Sequence, residues 1–138
     1  MPAAIDSYTW VAIARRSDRN VRVYSGHFRE ELEFSLDSIT PHPEKHWSNY
    51  IRGVASELVA AEKPLVGADI VIESNVPIGA GLSSSAALEV SSASALASVA
   101  EIKIDPIEML RLCHALQLGY FLAPTVWELL VKLVRVMS

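Results

Sequence analysis

The period of the apolar residues changes once along the chain, and that change limits the available folds. Up to residue 36 apolar side chains recur every second position. Val21 and Val23 alternate with polar neighbours in residues 20–25, and Leu32, Phe34 and Leu36 do so in residues 31–36. Residues 8–14 are a third β-rich run, and Ser17, Asp18, Asn20 and Ser25-Gly26 supply turn chemistry between the runs. The spacing predicts three short strands in an antiparallel meander, closed by Pro41 and Pro43. From Trp47 to Ala61 the steps become three, four and one, through Trp47, Tyr50, Ile51, Val54, Leu58 and Val59. That is one face of a helix, ended by Lys63-Pro64. Residues 68–73 read as a fourth strand, and 74–82 as a Pro/Gly-rich loop. Residues 84–99, rich in Ala, Ser and Leu without Gly or Pro, read as a helix buried on most sides. Asp105-Pro106 supplies an N-cap and an N1 proline for a last helix toward Leu118.

Composition narrows the function classes. The 138 residues are 51% apolar and 20% charged, which excludes a disordered chain. Twelve basic against sixteen acidic residues argue against nucleic acid as a partner. Cys113 is the single cysteine, so neither a disulfide framework nor a Cys-based zinc site is available. His42 and His46 are four apart, but Pro41 and Pro43 keep them off one helix face, and a solvated loop is expected. With no signal peptide and no 18-residue apolar stretch, a cytoplasmic protein that does not enter the membrane is expected.

Chemistry concentrates in Pro77-Ile78-Gly79-Ala80-Gly81-Leu82-Ser83-Ser84-Ser85-Ala86-Ala87, between a strand and a helix. Gly79 and Gly81 allow close backbone approach, and the first N–H groups of the helix are unpaired and carry the positive end of its dipole. Such an end binds anions, and a nucleotide triphosphate is the natural ligand. No Lys follows the glycines as in a Walker A loop, and the third glycine of a dinucleotide fingerprint is a serine. On these generic features alone, a Ser-capped helix with no ligand remains an equal alternative.

The full string resembles the phosphate-binding motif of the small-molecule kinases that include galactokinase, homoserine kinase and mevalonate kinase. Leu88-Glu89-Val90 after it resembles galactokinases in particular, as do the Trp-x-Asn-Tyr-x-x-Gly pattern of Trp47 to Gly53 and the lead-in Pro2-Ala3-Ala4-Ile5-Asp6. The resemblance implies an α+β fold, a mixed sheet backed by helices, over residues 1–118. It implies ATP and Mg²⁺ as cofactors and transfer of a phosphoryl group to galactose. Pro77, Gly79, Ala80, Gly81, Leu82, Ser83, Ser84, Ser85 and Ala86 would form the ATP site, with the Ser85 hydroxyl on the metal. Trp47 would lie near the adenine or, as an alternative, simply pack in the core. The family's Gly-Glu-His-Thr-Asp-Tyr signature and its Cys-Gly-Ile-Met-Asp segment have no counterpart, and no aspartate follows Asp105. No catalytic residue is therefore assigned, and a truncated, catalytically incomplete form is expected. A non-catalytic nucleotide- or partner-binding module and an unstable fragment are the alternatives.

Residues 119–138 form an apolar tail that departs from the family after Ala123-Pro124. Thr125-Val126-Trp127 is what codons for Ala-Pro-Cys-Gly give when read out of frame. A core helix is the plainer reading, and a partner-binding or membrane-surface helix the other. With nine apolar side chains in residues 126–137, self-association through exposed apolar surface is expected.

Overall fold

The computed structural model describes residues 8–75 and 84–120. The chain runs β1 (Thr9–Arg15), β2 (Asn20–Ser25), β3 (Glu30–Ser35), α1 (Trp47–Ala60), β4 (Ala68–Ser74), α2 (Ser84–Val99) and α3 (Pro106–Tyr120). The four strands form one mixed sheet in the order β1-β4-β2-β3. β1 pairs antiparallel with β4, β4 parallel with β2, and β2 antiparallel with β3. The expected α+β class with a mixed sheet and helices is the one observed.

The meander is not. β2 and β3 form the expected hairpin, but β1 does not pair with β2, because β4 lies between them. Two features explain the insertion. β4 carries the run Ile70-Val71-Ile72, and its inward residues Ala68, Ile70 and Ile72 are all buried, whereas Val11 and Ile13 of β1 are only partly so. The more apolar strand takes the place with a neighbour on each side. Gly67 makes the approach fit. Its carbonyl accepts from the Arg16 N–H at 2.8 Å, and a Cβ there would stand 2.1 Å from the Asp18 carbonyl oxygen.

The helices cover one face of the sheet. Ile51, Val54, Ala55 and Leu58 of α1 and Ala93 and Leu96 of α2 join Val21, Val23, Ile70 and Ile72 in a single core, closed by Leu116 of α3. Within residues 86–99 only Ser94 and Ser98 are exposed, so α2 is buried on most sides as its composition requires. α1 and α2 stop in the same way. Glu62 (φ 59°) and Glu101 (φ 58°) adopt the left-handed conformation, and the next N–H, of Lys63 or Ile102, returns to the carbonyl of Leu58 or Ala97. The α1 stop therefore comes before Pro64. α3 starts as expected, with Asp105 Oδ1 accepting from the N–H groups of Ile107 (2.9 Å) and Glu108 (3.0 Å). It runs on to Tyr120, two residues past the expected boundary at Leu118. The tail from residue 121 lies outside the described residues.

Candidate nucleotide-phosphate site

β4 and α2 hold the two ends of the glycine-serine segment. At the β4 end, the Asn75 N–H donates to the Tyr8 carbonyl at 3.1 Å, continuing the β1–β4 ladder by one residue. At the other end Ser84 and Ser85 open α2, which then runs without a break for 16 residues. Pro77, Gly79, Ala80, Gly81, Leu82 and Ser83 lie outside the described residues. Ser84 and Ser85 are described as helical backbone, and Ala86 is buried in the first turn. The expected context of strand, connecting segment and helix is thus present around the motif.

A polar group to which the sequence reading gave no role in the site lies beneath this helix start. Glu89, one turn beyond Ser85, is 2% exposed, and Ser92, three residues further on, is fully buried. Cys113 on α3 is buried beside them. Burial, and then the Glu89 charge, push its thiol up to about 12. The Tyr50 hydroxyl of α1 is raised for the same two reasons, in the same order. Glu89 therefore sits where all three helices meet. Serines are spread around α2, so no amphipathic period marks which way residue 89 faces.

The Trp-x-Asn-Tyr segment is held by the residues just before it, from the β2–β3 turn, β3 and the loop that leads into α1. Trp47 is 9% exposed, in the core cluster, with its ring stacked on Phe28 at 5.7 Å between centroids. Its Nε1–H donates to Glu30 Oε2 at 3.0 Å, and Glu30 also pairs with Lys45. These two contacts hold the Glu30 carboxyl below its ordinary range, Lys45 contributing more than Trp47. Asn49 fastens the preceding loop: its Oδ1 accepts from the His42 N–H at 2.7 Å and its Nδ2 donates to the His42 carbonyl at 3.2 Å. Arg52 lies over the Phe34 ring, 4.8 Å from its centroid, and donates to Ser48 Oγ and the Thr40 carbonyl, each at 3.2 Å. His42 Nδ1 accepts from the Lys45 N–H at 3.0 Å, closing the loop before α1. Among the described residues no three His, Cys, Asp or Glu side chains are grouped to hold a metal, and no helix is long and apolar enough to cross a membrane.

A family model described as GHMP kinases N terminal domain matches residues 49–124, more than half of the chain. The chain belongs to the GHMP kinase family. Within this family its sequence is galactokinase-like. It is 56% identical over 89 residues to a galactokinase of Chloroflexus aggregans and 54% identical over 89 residues to one of Chloroflexus aurantiacus. Each match covers 64% of this chain and 23% of the relative. The fold agrees with that of the Lactococcus lactis galactokinase solved with galactose, at a TM-score of 0.79 and 29% identity, over 86% of this chain and 31% of that one. The Methanococcus jannaschii mevalonate kinase shares the fold at a TM-score of 0.70 and 18% identity, over 79% of this chain and 36% of that one. This GHMP kinase chain thus spans about a quarter of the curated relatives it matches and about a third of the solved ones.

Proposed function

We propose that residues 77–86 bind the phosphates of ATP, and that this chain is the nucleotide-binding part of a cytoplasmic galactose-phosphorylating kinase. The observation that carries this is the 54–56% identity to two galactokinases, together with a helix that starts at Ser84 beyond a strand and a glycine-bearing segment. In this reading Gly79 and Gly81 let the backbone approach the β- and γ-phosphates. Pro77, Ala80, Leu82, Ser83, Ser84 and Ala86 complete the cradle, and the α2 dipole favours the negative charge. A hydroxyl is a hard oxygen donor of the kind Mg²⁺ prefers, so Ser85 suits that metal, with the remaining ligands coming from phosphate and water. Bound there, the metal would supply neutralisation of charge on the phosphates. Trp47 enters as an apolar wall beside the adenine and not as a hydrogen-bond donor, since its N–H is committed to Glu30.

Phosphoryl transfer rests on positioning and charge stabilisation, and a phosphate cradle supplies part of both. The sugar-binding signature and the aspartate-bearing segment of galactokinases have no counterpart in these 138 residues. Nucleotide binding without turnover is therefore the expected behaviour. Calorimetry with Mg-ATP tests it. Binding should be lost in Gly81→Val and lose its metal-dependent part in Ser85→Ala, and galactose should not stimulate ADP release. Unchanged affinity in Gly81→Val would refute the site, and galactose-dependent turnover would refute the incomplete catalytic set.

A further inference from the structure

Residues 41–45 own three backbone N–H groups, because Pro41 and Pro43 have none. All three end on side chains. The His42 N–H donates to Asn49 Oδ1 at 2.7 Å, and the N–H groups of Glu44 (3.2 Å) and Lys45 (3.0 Å) both donate to His42 Nδ1. Instead of standing in a solvated loop as expected, His42 is half-buried and closes its own turn.

This turn stands in for a helix cap. His46, at the N-cap of α1, makes no side-chain cap bond, and the first turn of α1 carries no acidic residue. The start of the helix is fixed through Lys45. Its carbonyl accepts from the Ser48 N–H at 3.1 Å and from the Ser48 hydroxyl at 2.8 Å. Its ammonium pairs with Glu30, which also holds the Trp47 indole.

Nδ1 accepts the two N–H bonds through its lone pair, so the ring is neutral with its proton on Nε2. An imidazolium carries a proton on each nitrogen, and the new N–H would point straight at two others. Histidine is the side chain that exchanges its proton near neutral pH. The charged groups around this one are Glu44 and Lys45 of its own turn and Glu30 of β3, whose carboxyl, held low by Lys45 and Trp47, also feels the His42 charge. α1 meets it through the neutral Asn49, which grips both main-chain groups of residue 42. The ring can therefore turn while its backbone stays in place.

We propose that His42 is a proton-operated latch on the start of α1. Neutral, it closes the 42–45 turn. Protonated, it releases the N–H groups of Glu44 and Lys45 and loosens the hold of Lys45 on Glu30. The Trp47 indole then rests on Glu30 alone, so the corner that orients Trp47 slackens as pH falls. The latch is built from hydrogen bonds within residues 30–49 and does not depend on what Trp47 binds.

Amide and indole N–H resonances of the full chain, followed by NMR from pH 8 to about pH 5.5, test this. In the native chain the Glu44 and Lys45 amide protons should move upfield together, on one midpoint shared with the His42 ring protons. The Trp47 indole N–H should follow. In His42→Asn the Oδ1 accepts from the same two N–H groups at every pH, as in an Asx turn, so these signals should keep the closed positions throughout. His42→Ala has no acceptor and should show the released positions already at pH 8. Lys45→Met should remove the Trp47 step and keep the Glu44 one. Glu44 and Lys45 signals that stay put in the native chain overturn the proposal. So does an equal step in His42→Asn, which would assign the titration to another group. If His42→Ala does not fold, the native and His42→Asn titrations still decide.

Discussion

The indole N–H of Trp47, at the start of α1, donates to the carboxylate of Glu30, at the start of β3, at 3.0 Å. Lys45 shares the same carboxylate, so this corner of the domain rests on an ionised Glu30.

Stability should follow that charge. Lys45 and then Trp47 lower the Glu30 carboxyl below its ordinary value of 4.5. A depressed carboxylate stabilises the fold fully above its unfolded value, and the contribution disappears as pH falls through the folded one. Trp47→Phe should therefore lower Tm more at pH 7 than at pH 3, and in a Glu30→Gln background the gap should be constant. Thermal melts across this range check it, and a pH-independent gap in the native background would contradict it.

Two glycines should respond oppositely to alanine. At Gly67 the new Cβ meets the backbone carbonyl of Asp18 at 2.1 Å, and neither strand can yield without disturbing the β1–β4 crossing. Gly67→Ala should cost about 1–3 kcal/mol. At Gly26 the clash is with the carboxylate end of Glu73, which can swing into solvent. Gly26→Ala should cost less than about 1 kcal/mol. Urea melts of both variants make the comparison, and equal losses would argue against the close crossing at Gly67.

Ser92 offers a stabilising substitution. Its hydroxyl is fully buried and, among the described residues, has no hydrogen-bond partner. Ser92→Ala removes an unsatisfied polar group at little cost in volume, so the denaturation midpoint should rise by the equivalent of about 1 kcal/mol. A fall of similar size would show that the hydroxyl is satisfied in solution.

Cys113 should report global opening. With its thiol pushed up to about 12, Cys113 stays protonated at pH 8, and the residue has no exposure. Labelling by an aromatic disulfide reagent should be absent from the native chain and stoichiometric in denaturant. Its rate in between should track the unfolded fraction. Fast labelling without denaturant would mean that α3 detaches from the core.

The extent of most elements was legible in residue spacing, because each buries one periodic face. α2 was delimited at 84–99 by composition alone, its Ala- and Ser-rich run having no helix breaker. The pairing order was not legible. Alternation in Thr9–Arg15 says which residues face inward but nothing about which strand lies alongside. The short turn through Ser17 and Asp18 suggests a hairpin that β4 forestalls. The glycine-serine segment was recognisable as a motif. What supports it was not, since Phe28 and Glu30 reach Trp47 from another element, and Glu89 is buried in a helix without a polar face.

The interposed fourth strand also sets a timetable for folding. β2 and β3 can join as soon as residue 35 is clear of the ribosome, but β1 must wait for a partner 65 residues away, Thr9 for Ser74. During synthesis β1 is thus made before β2 and β3 but stitched in after them. Its apolar edge stays open while α1 is being translated. A nascent chain that has left the ribosome only as far as residue 67 holds a hairpin and helix with β1 still unattached. A chaperone that captures short apolar segments would find its target there, at residues 9–15, and nowhere within the finished hairpin.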